Sequence, residues 1–380
     1  MTIQTVDWLA REALLILQSN MVATQLYDRL YEADFTGTEA RGDTIRIRRR
    51  DRGNAQEFTG TISSRGLEES KIDLVLEKHY DASFEITSKE ATLDLDSFSE
   101  QVLEPQVVSI AELVDTYALS KINDLPNTAG VDGSGVPTAF ATTIGGVANY
   151  RKVLNELKVP MAARQAIWSP TGDANLLGIA SFVEANKKGD DGTALREASL
   201  GRVLGFDHWM AQNVDETALV TSDGDTCQVV GIEPVGTLSF AVDNADGASV
   251  TFADRSTIQI DGINYTVNGD AVMSLSAGTI VILEGLKKPT AAAQPVTTPY
   301  ALSDNFVPRG VIFHPRAFAF VSVPLEIPPE ADGAMIANNG YAIRIVRDYD
   351  ITSKKSIISL DTLVGCRVAD GALGAKVVEA

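Results

Sequence analysis

The 380-residue chain is 44% hydrophobic and carries 51 acidic against 32 basic residues, for a formal net charge of −19. This length and hydrophobic content predict a globular protein with a core divided between two or three lobes, not a disordered chain. Because phosphate binding requires a basic surface, the acidic balance argues against a protein that wraps nucleic acid over its whole surface.

The two cysteines, Cys227 and Cys366, show neither CxxC nor Cys/His spacing. We therefore expect reduced thiols, no disulfide framework and no zinc site. The N-terminus has no signal-peptide pattern, and no apolar run approaches the roughly 18 residues that a membrane span requires. The sequence thus predicts an unprocessed protein that does not associate with a membrane.

Residues 5–31 carry apolar side chains at helical spacing and predict an amphipathic N-terminal helix. Two alternatives remain open for it. The helix packs on the chain's own core, or it extends as an arm to another subunit.

The segment "RGDTIRIRRRDRG" begins at Arg41 and holds six arginines in residues 41–52. Within it, Ile45 and Ile47 alternate with arginines, which is the pattern of a strand with one apolar and one charged face. "KIDLVLEK" from Lys71 predicts a second strand, so the two form a hairpin separated by about twenty polar residues, a loop long enough to be functional. The arginines are expected to lie on a projecting arm.

Further along the chain, "HYDASFEIT" predicts a strand, and the region after it predicts a long helix that Pro105 starts or kinks. "GGVANYRKVLNELKVP" predicts another helix and "RQAIWSP" a short strand. From about Val214 to Pro299 the helical periodicity disappears. "TIQIDGINYTV" predicts two strands around an Asp-Gly turn, and "KKPTAAAQPVTTP" predicts a linker. We infer an inserted all-β domain.

Catalytic motifs are not evident. The three histidines form no HxxxH or HExxH pair, and the chain has neither a GxSxG nor a GxxxxGK[ST] segment. The acidic pairs Asp94/Asp96 and Asp190/Asp191 are explained by helix caps and turns. We expect no enzyme, no cofactor and no metal site.

Three interpretations compete for the arginine-rich strand: a solvated strand face, a nucleic-acid contact, and a contact with acidic groups of another subunit. Six arginines against two aspartates give residues 41–52 a net charge of +4. A nucleic-acid arm would normally have aromatic or further basic support. Since the remainder of the chain is strongly acidic, the polarity favours head-to-tail self-association.

Four segments resemble one family throughout the chain: "FSEQVLEPQVVSIAELVDTYAL" from Phe98, "GRVLGFDHWMAQNV" from Gly201, "GVIFHPRAFAFVSVPLEIP" from Gly310 and "YDITSKKSIISLDTLVGCRV" from Tyr349. They are similar to the major capsid proteins of tailed bacteriophages, which have the Hong Kong 97 fold. The subgroup with an inserted β-barrel domain is the most similar.

The resemblance implies an α+β capsid fold with an all-β insertion and assigns each segment of the chain. The implied units are an N-terminal arm (1–34), an extended loop (35–80), a peripheral domain with a spine helix (81–129), a first axial part (130–213), the inserted β-domain (214–303) and a C-terminal axial and peripheral part (304–380).

The resemblance also implies a function. The chain would self-assemble as hexamers and pentamers into the icosahedral shell that encloses the double-stranded DNA of a phage, with scaffolding and portal proteins as partners and no sequence-specific DNA binding. It would be assembled in the host cytoplasm and reside in the virion. The arm arginines Arg41, Arg46, Arg48, Arg49, Arg50 and Arg52 would contact a neighbouring subunit, with Asp94, Asp96, Glu100 and Glu104 as candidate acidic partners.

Two alternatives remain. An encapsulin-like cellular nanocompartment has a similar shell but encloses enzymes, and the long insertion favours the phage family over it. A β-rich binding or adhesin protein would explain the insertion and the acidic charge. It would not require the arginine hairpin followed by a long helix.

Overall fold

The computed structural model describes residues 6–30, 44–48, 71–87, 102–132, 136, 138–184, 196–217, 227–244, 250–273, 277–299, 307–329, 331–352 and 354–379. These residues form a five-stranded antiparallel sheet with two helices on one face, a mixed sheet, a barrel and a two-stranded arm. After β3 of the five-stranded sheet, the chain forms part of the mixed sheet, then forms the barrel, and then returns to the mixed sheet and to the five-stranded sheet.

The N-terminal segment packs on the chain's own core. It forms α1 (Val6–Asn20) and α2 (Ala23–Leu26), and the buried side chains of α1 recur every three or four residues along one face: Val6, Leu9, Ala10, Ala13, Leu14 and Leu17. The helix ends at Asn20, well before the predicted residue 31. In the described residues, the N-terminal helix therefore packs on the chain's own core, the first of the two alternatives.

The five-stranded sheet lies beneath α1 and the long helix α3 (Glu104–Ser120), which continues as a 3₁₀ turn over Lys121–Asp124. Pro105 lies in the first turn of α3, where its missing N–H removes no helical hydrogen bond, so it starts the helix. The strands are β3 (Lys78–Thr87), β17 (Phe318–Val323), β18 (Asp332–Asn338), β19 (Tyr341–Asp350) and β20 (Lys355–Val368). The fourteen-residue β20 pairs with β3, β17 and β19.

The mixed sheet has the order β4-β21-β16-β5-β7-β6. Its strands are β4 (Thr128–Ala129), β5 (Gln165–Trp168), β6 (Arg202–Val203), β7 (Phe206–Met210), β16 (Val307–Phe313) and β21 (Gly374–Glu379), with helices α4 (Ile144–Glu156), α5 (Pro170–Leu177) and α6 (Ala180–Val183). The side chains of Thr143 and Ser169 cap α4 and α5 by accepting backbone N–H bonds. Trp168 lies at the centre of this sheet's aromatic core, with Phe140 and Tyr150.

The barrel is built from the strands between Cys227 and Thr297, inside the predicted range 214–303. They are β8 (Cys227–Val229), β9 (Ser239–Asn244), β11 (Thr257–Ile260), β12 (Ile263–Thr266), β14 (Ala277–Val281) and β15 (Pro295–Thr297), with β10 (Val250–Phe252) and β13 (Ala271–Met273) as a separate pair. Hydrogen bonds from Asn268 N to Val281 O (2.8 Å) and from Leu283 N to Thr266 O (3.0 Å) join the first and last strands and close the sheet.

Two sequence predictions for the barrel can be compared with its structure. Asp261 and Gly262 join β11 to β12 with φ of 50° and 71°, the left-handed pair that a tight hairpin requires. The predicted linker is partly wrong, because its residues Pro295–Thr297 form β15, which pairs with both β8 and β11. Proline is tolerated there because it occupies the first position of the strand.

Candidate subunit-contact site

The arm consists of β1 (Thr44–Arg48) and β2 (Lys71–Val75), paired antiparallel. Alternation along both strands buries Ile47 and Leu74 on one face. Arg46 and Asp73 stand directly opposite each other on the other face, with 3.5 Å between the arginine Nε and the aspartate Oδ1. The side chain of Arg46 is 73% exposed, so this pair leaves most of the guanidinium open to a further partner.

The root of the arm is fixed on the body of the chain. Ile47 and Leu74 pack on Ala319 and Val321 of β17. At the end of β2, the carbonyl oxygen of Val75 lies so close to Gly365 of β20 that a Cβ on this glycine would be 2.4 Å from it. Only glycine allows this crossing, and the crossing holds the arm in a defined direction.

Arg367 connects the arm to the barrel. Its Nη1 donates to the carbonyl oxygen of Asp73 in β2 at 2.8 Å, and its Nη2 donates to the carbonyl oxygen of Leu283 at 3.1 Å. One guanidinium on β20 therefore satisfies backbone acceptors of both units, which couples the position of the arm root to that of the barrel.

Charged groups also hold the barrel against the end of α3. Arg255, between β10 and β11, forms an ion pair with the buried carboxylate of Asp124, and Thr266 Oγ1 donates to the carbonyl oxygen of Asp124 at 2.9 Å. Burial lowers the pKa of Arg255. Glu284 accepts the backbone N–H of Gly371 at 2.8 Å and lies 3.1 Å from Lys287.

Lys376 of β21 is buried close to this junction. Burial, and secondarily the positive charge of Arg255, lower its pKa to about 8. Two basic side chains thus lie near each other at the joint, and the carboxylate of Asp124 compensates the charge of Arg255. Among the residues that the structure describes, the apolar core of the barrel is separate from that of the body, so ion pairs and hydrogen bonds hold the barrel at this point.

The fold is similar to that of a phage protein. A structure described as Mycobacterium phage Che8 matches with a TM-score of 0.53 and 13% sequence identity, covering 94% of this chain and 90% of that one. The chain shares the fold of this phage protein. The α+β class predicted from the sequence is confirmed.

Other structures align at lower scores. They include the capsid of Cyanophage P-SCSP1u (TM-score 0.47, 9% identity, 90% of this chain and 84% of that one) and the mature capsid of bacteriophage PhiM1 (0.46, 13%, 90% and 83%). Scores below 0.5 add nothing to the argument. No protein-family model matches the chain, and no curated protein matches its sequence.

The predicted contact residues are only partly within the described part of the chain. Arg41, Arg49, Arg50, Arg52, Asp94, Asp96 and Glu100 lie outside it. Arg48 ends β1 in register with Lys71, and Glu104 begins α3 with an exposed side chain. Arg46 has an intrachain partner that sequence reasoning missed. Asp73 lies within the predicted strand "KIDLVLEK", but only the strand register identifies it as the residue opposite Arg46.

Each of the three histidines contacts a different group of the chain. His79 lies 3.6 Å from Asp361, and His208 bonds Trp168. His314 accepts the backbone N–H of Arg316 at 3.3 Å, and burial lowers its pKa.

Across the residues that the structure places, no group of three or more His, Cys, Asp or Glu side chains could hold a metal ion. In the same residues, no helix is long and apolar enough to cross a membrane.

Proposed function

We propose that this chain is the major capsid protein of a tailed phage and assembles into the shell that encloses the phage's double-stranded DNA. The observation that carries the proposal is a fold shared over 94% of the chain with a phage protein, in a chain whose sequence resembles phage coat proteins. Hexamers and pentamers, scaffolding and portal partners, assembly in the host cytoplasm and residence in the virion belong to this proposal. So does a role without enzymatic activity.

The arm supports self-assembly. Its apolar face is covered by β17 of the same chain, whereas the side chain of Arg46 on the opposite face is 73% exposed. Acidic groups of a neighbouring subunit would pair with that exposed face. The arm arginines are proposed as one side of this contact, and Asp94, Asp96, Glu100 and Glu104 as acidic residues for the other.

The charge balance fits enclosure of DNA rather than tight binding. At −19, the chain repels the phosphate backbone over most of its surface. An inner wall of this kind would let a packaged genome move. The barrel, fixed through charged groups, is proposed as an insertion domain that stabilises the subunit or contributes to subunit contacts, as in the subgroup that the sequence resembles.

Sedimentation velocity of the purified full-length chain tests the proposal. We expect species far larger than the 40.6 kDa monomer, in amounts that rise with protein concentration. A monomer at every concentration, with and without proteins encoded beside it, would contradict the proposal. Shells that enclose a cellular enzyme instead of DNA would support the nanocompartment alternative.

A further inference from the structure

The sequence contains two Asn-Gly dipeptides, Asn268–Gly269 and Asn339–Gly340. Asparagine before glycine is the context most prone to deamidation, because glycine has no side chain to obstruct the approach of its backbone nitrogen to the asparagine side chain. Both asparagines are exposed. Dipeptide type and exposure therefore do not distinguish the two sites, and a difference in their reactivity depends on the contacts that surround them.

Deamidation of such a dipeptide consumes only water. The backbone nitrogen of the glycine loses its proton and bonds to Cγ of the asparagine, and the side-chain nitrogen leaves as ammonia. Water then opens the five-membered imide at either carbonyl carbon, which gives aspartate or isoaspartate. The first step passes through an anionic peptide group, whose charge is shared between the nitrogen and the carbonyl oxygen of the same peptide bond.

At Asn339–Gly340, a cation faces this carbonyl oxygen. Nη1 of Arg29 donates to the backbone oxygen of Asn339 at 2.8 Å. This oxygen belongs to the peptide bond that joins Asn339 to Gly340, so the guanidinium lies where the negative charge of the reactive peptide group develops. Stabilisation of developing charge by a fixed donor is the physical basis of an oxyanion hole.

Arg29 is held in this position by its neighbours. The preceding residue, Asp28, accepts the backbone N–H of Phe320 at 2.9 Å and donates its own to the carbonyl oxygen of Phe318 at 3.1 Å, which joins the segment to β17. The guanidinium carbon lies 5.0 Å from the centre of the Tyr341 ring. A donor that is fixed before the reaction requires no reorganisation during it.

The local backbone also suits the reaction. Asn339 and Gly340 form the two-residue turn between β18 and β19, with φ of 55° and 82°, the left-handed pair of a tight hairpin. Among the residues that the structure describes, the N–H of Gly340 donates no hydrogen bond. Its proton is therefore not held by an acceptor.

The Asn268–Gly269 site has the opposite electrostatics. The N–H of Gly269 donates to Oδ1 of Asp254 at 2.6 Å. A carboxylate bonded to this N–H stabilises the protonated peptide group, and its negative charge opposes formation of the anion. Arg255 lies 3.5 Å from the other oxygen of Asp254, but it also forms the ion pair with Asp124. The same dipeptide thus lies beside a cation at one site and is bonded to a carboxylate at the other.

We propose that Asn339 is a site of spontaneous deamidation in the folded chain and that Arg29 promotes the reaction. The product carries a new negative charge on the residue whose backbone Arg29 binds. We expect this charge to strengthen the contact between the N-terminal segment and the β18–β19 hairpin. The inference concerns the folded subunit alone and does not depend on the proposed function.

Peptide mapping by mass spectrometry tests the proposal, because it measures both asparagines in one sample of the full-length chain. We expect Asn339 to deamidate about tenfold faster than Asn268 in the folded chain. In concentrated urea, where the contacts of Arg29 and Asp254 are lost, the two rates should become similar. If Asn339 reacts no faster than Asn268 in the folded chain, the proposal is wrong.

Substitutions separate the contributions of the two charges. Arg29→Gln should lower the rate at Asn339 about tenfold and leave the rate at Asn268 unchanged, whereas Arg29→Lys keeps a positive charge and should retain part of the rate. Asp254→Asn should raise the rate at Asn268, because an amide opposes the anion less than a carboxylate does. The matched control Arg11→Gln removes an exposed arginine from α1 and should change neither rate.

Far-UV circular dichroism and urea unfolding show whether each variant is folded. A folded Arg29→Gln chain that deamidates at position 339 as fast as the wild type, or faster, shows that Arg29 does not promote the reaction and overturns the inference. If that variant does not fold, the comparison of the two sites in the wild-type chain and the Asp254→Asn variant of the barrel decide the question.

Discussion

The indole N–H of Trp168 donates to Nδ1 of His208 across 2.9 Å, and Nε2 of the same ring lies 3.2 Å from the carbonyl oxygen of Val203. Because Nδ1 accepts, this arrangement assigns the ring proton to Nε2, which donates to Val203. Trp168 is only 1% exposed, so its N–H has no access to bulk water. A neutral His208 thus satisfies the central aromatic side chain of the mixed sheet.

Removing this acceptor should destabilise the chain. We expect His208→Leu to lower the free energy of unfolding by about 1–3 kcal/mol, since it leaves the buried Trp168 N–H without its partner. His208→Asn, whose amide oxygen can approach the position of Nδ1, should recover part of the loss. Urea unfolding followed by tryptophan fluorescence measures both, and equal losses in the two variants would show that the hydrogen bond is unimportant.

Breaking the joint between α3 and the barrel should uncouple the barrel from the body. Asp124→Ala removes the buried carboxylate beside the partly buried Arg255 and leaves it the more exposed Asp254, 3.5 Å from its Nε. Loss of a buried ion-pair partner costs up to about 3–5 kcal/mol where the charge cannot escape to water. The separate core of the barrel should then unfold in its own transition. Differential scanning calorimetry should show two transitions in place of one.

A paired substitution serves as the control for that prediction. Asp124→Leu with Arg255→Met replaces the ion pair by apolar groups of similar size and should cost much less than Asp124→Ala alone. If the single and the paired variants lose the same stability, the electrostatic account of the joint is wrong.

Because Lys376 is buried, we expect the free energy of unfolding to rise with pH above neutrality. The pKa of Lys376 in the folded chain is about 8, against an ordinary value of 10.5. Below pH 8 both states are protonated, so the folded state bears the whole cost of burying the charge. Between about pH 8 and 10.5 the unfolded state binds the extra proton, so the free energy of unfolding increases with pH.

Substitution of Lys376 isolates this effect. Lys376→Met should raise the free energy of unfolding at pH 7 by up to about 3 kcal/mol, the equivalent of the 2.5-unit pKa difference, and should flatten the increase between pH 7.5 and 9.5. Lys152→Met on the exposed face of α4 should change neither. Urea unfolding between pH 7.5 and 9.5 measures these changes. A wild-type free energy of unfolding that does not rise with pH over this range would contradict the prediction.

Substitution of Gly365 should cause a defect confined to the arm. Gly365→Ala places a Cβ 2.4 Å from the carbonyl oxygen of Val75, so β2 must move away from β20. We expect a folded chain with a loss of large particles and faster proteolysis within the arm. Gly145→Ala in α4 is the control, because its Cβ would meet nothing nearer than 3.9 Å and alanine favours the helix. Normal assembly of Gly365→Ala would show that assembly does not depend on the close contact between Val75 and Gly365.

Local patterns in the sequence predicted many elements of the fold. Two-residue alternation identified β1 and β2, and the Asp261–Gly262 pair identified the turn between β11 and β12, because both are fixed by neighbours in the sequence. β15 was missed because a three-residue strand beginning with proline has no such pattern. It is stabilised by pairing with β8 and β11, which lie far from it in the sequence.

The candidate site shows the same division. The charged face of the arm was evident from the arginine spacing, whereas the partner of Arg46 was not. Arg46 and Asp73 lie opposite each other only because of the register in which β1 pairs with β2. The ion pair of Asp124 with Arg255 is equally invisible in the sequence, since it depends on how the barrel docks on α3.

The most direct test of this account is a cryo-electron microscopy reconstruction of the particles that the untagged, full-length chain forms. We expect a closed icosahedral shell in which the arm of each subunit leaves its own body at Gly365 and lies across the next subunit. A closed symmetric dimer, or a shell in which each arm folds back on its own chain, would contradict it.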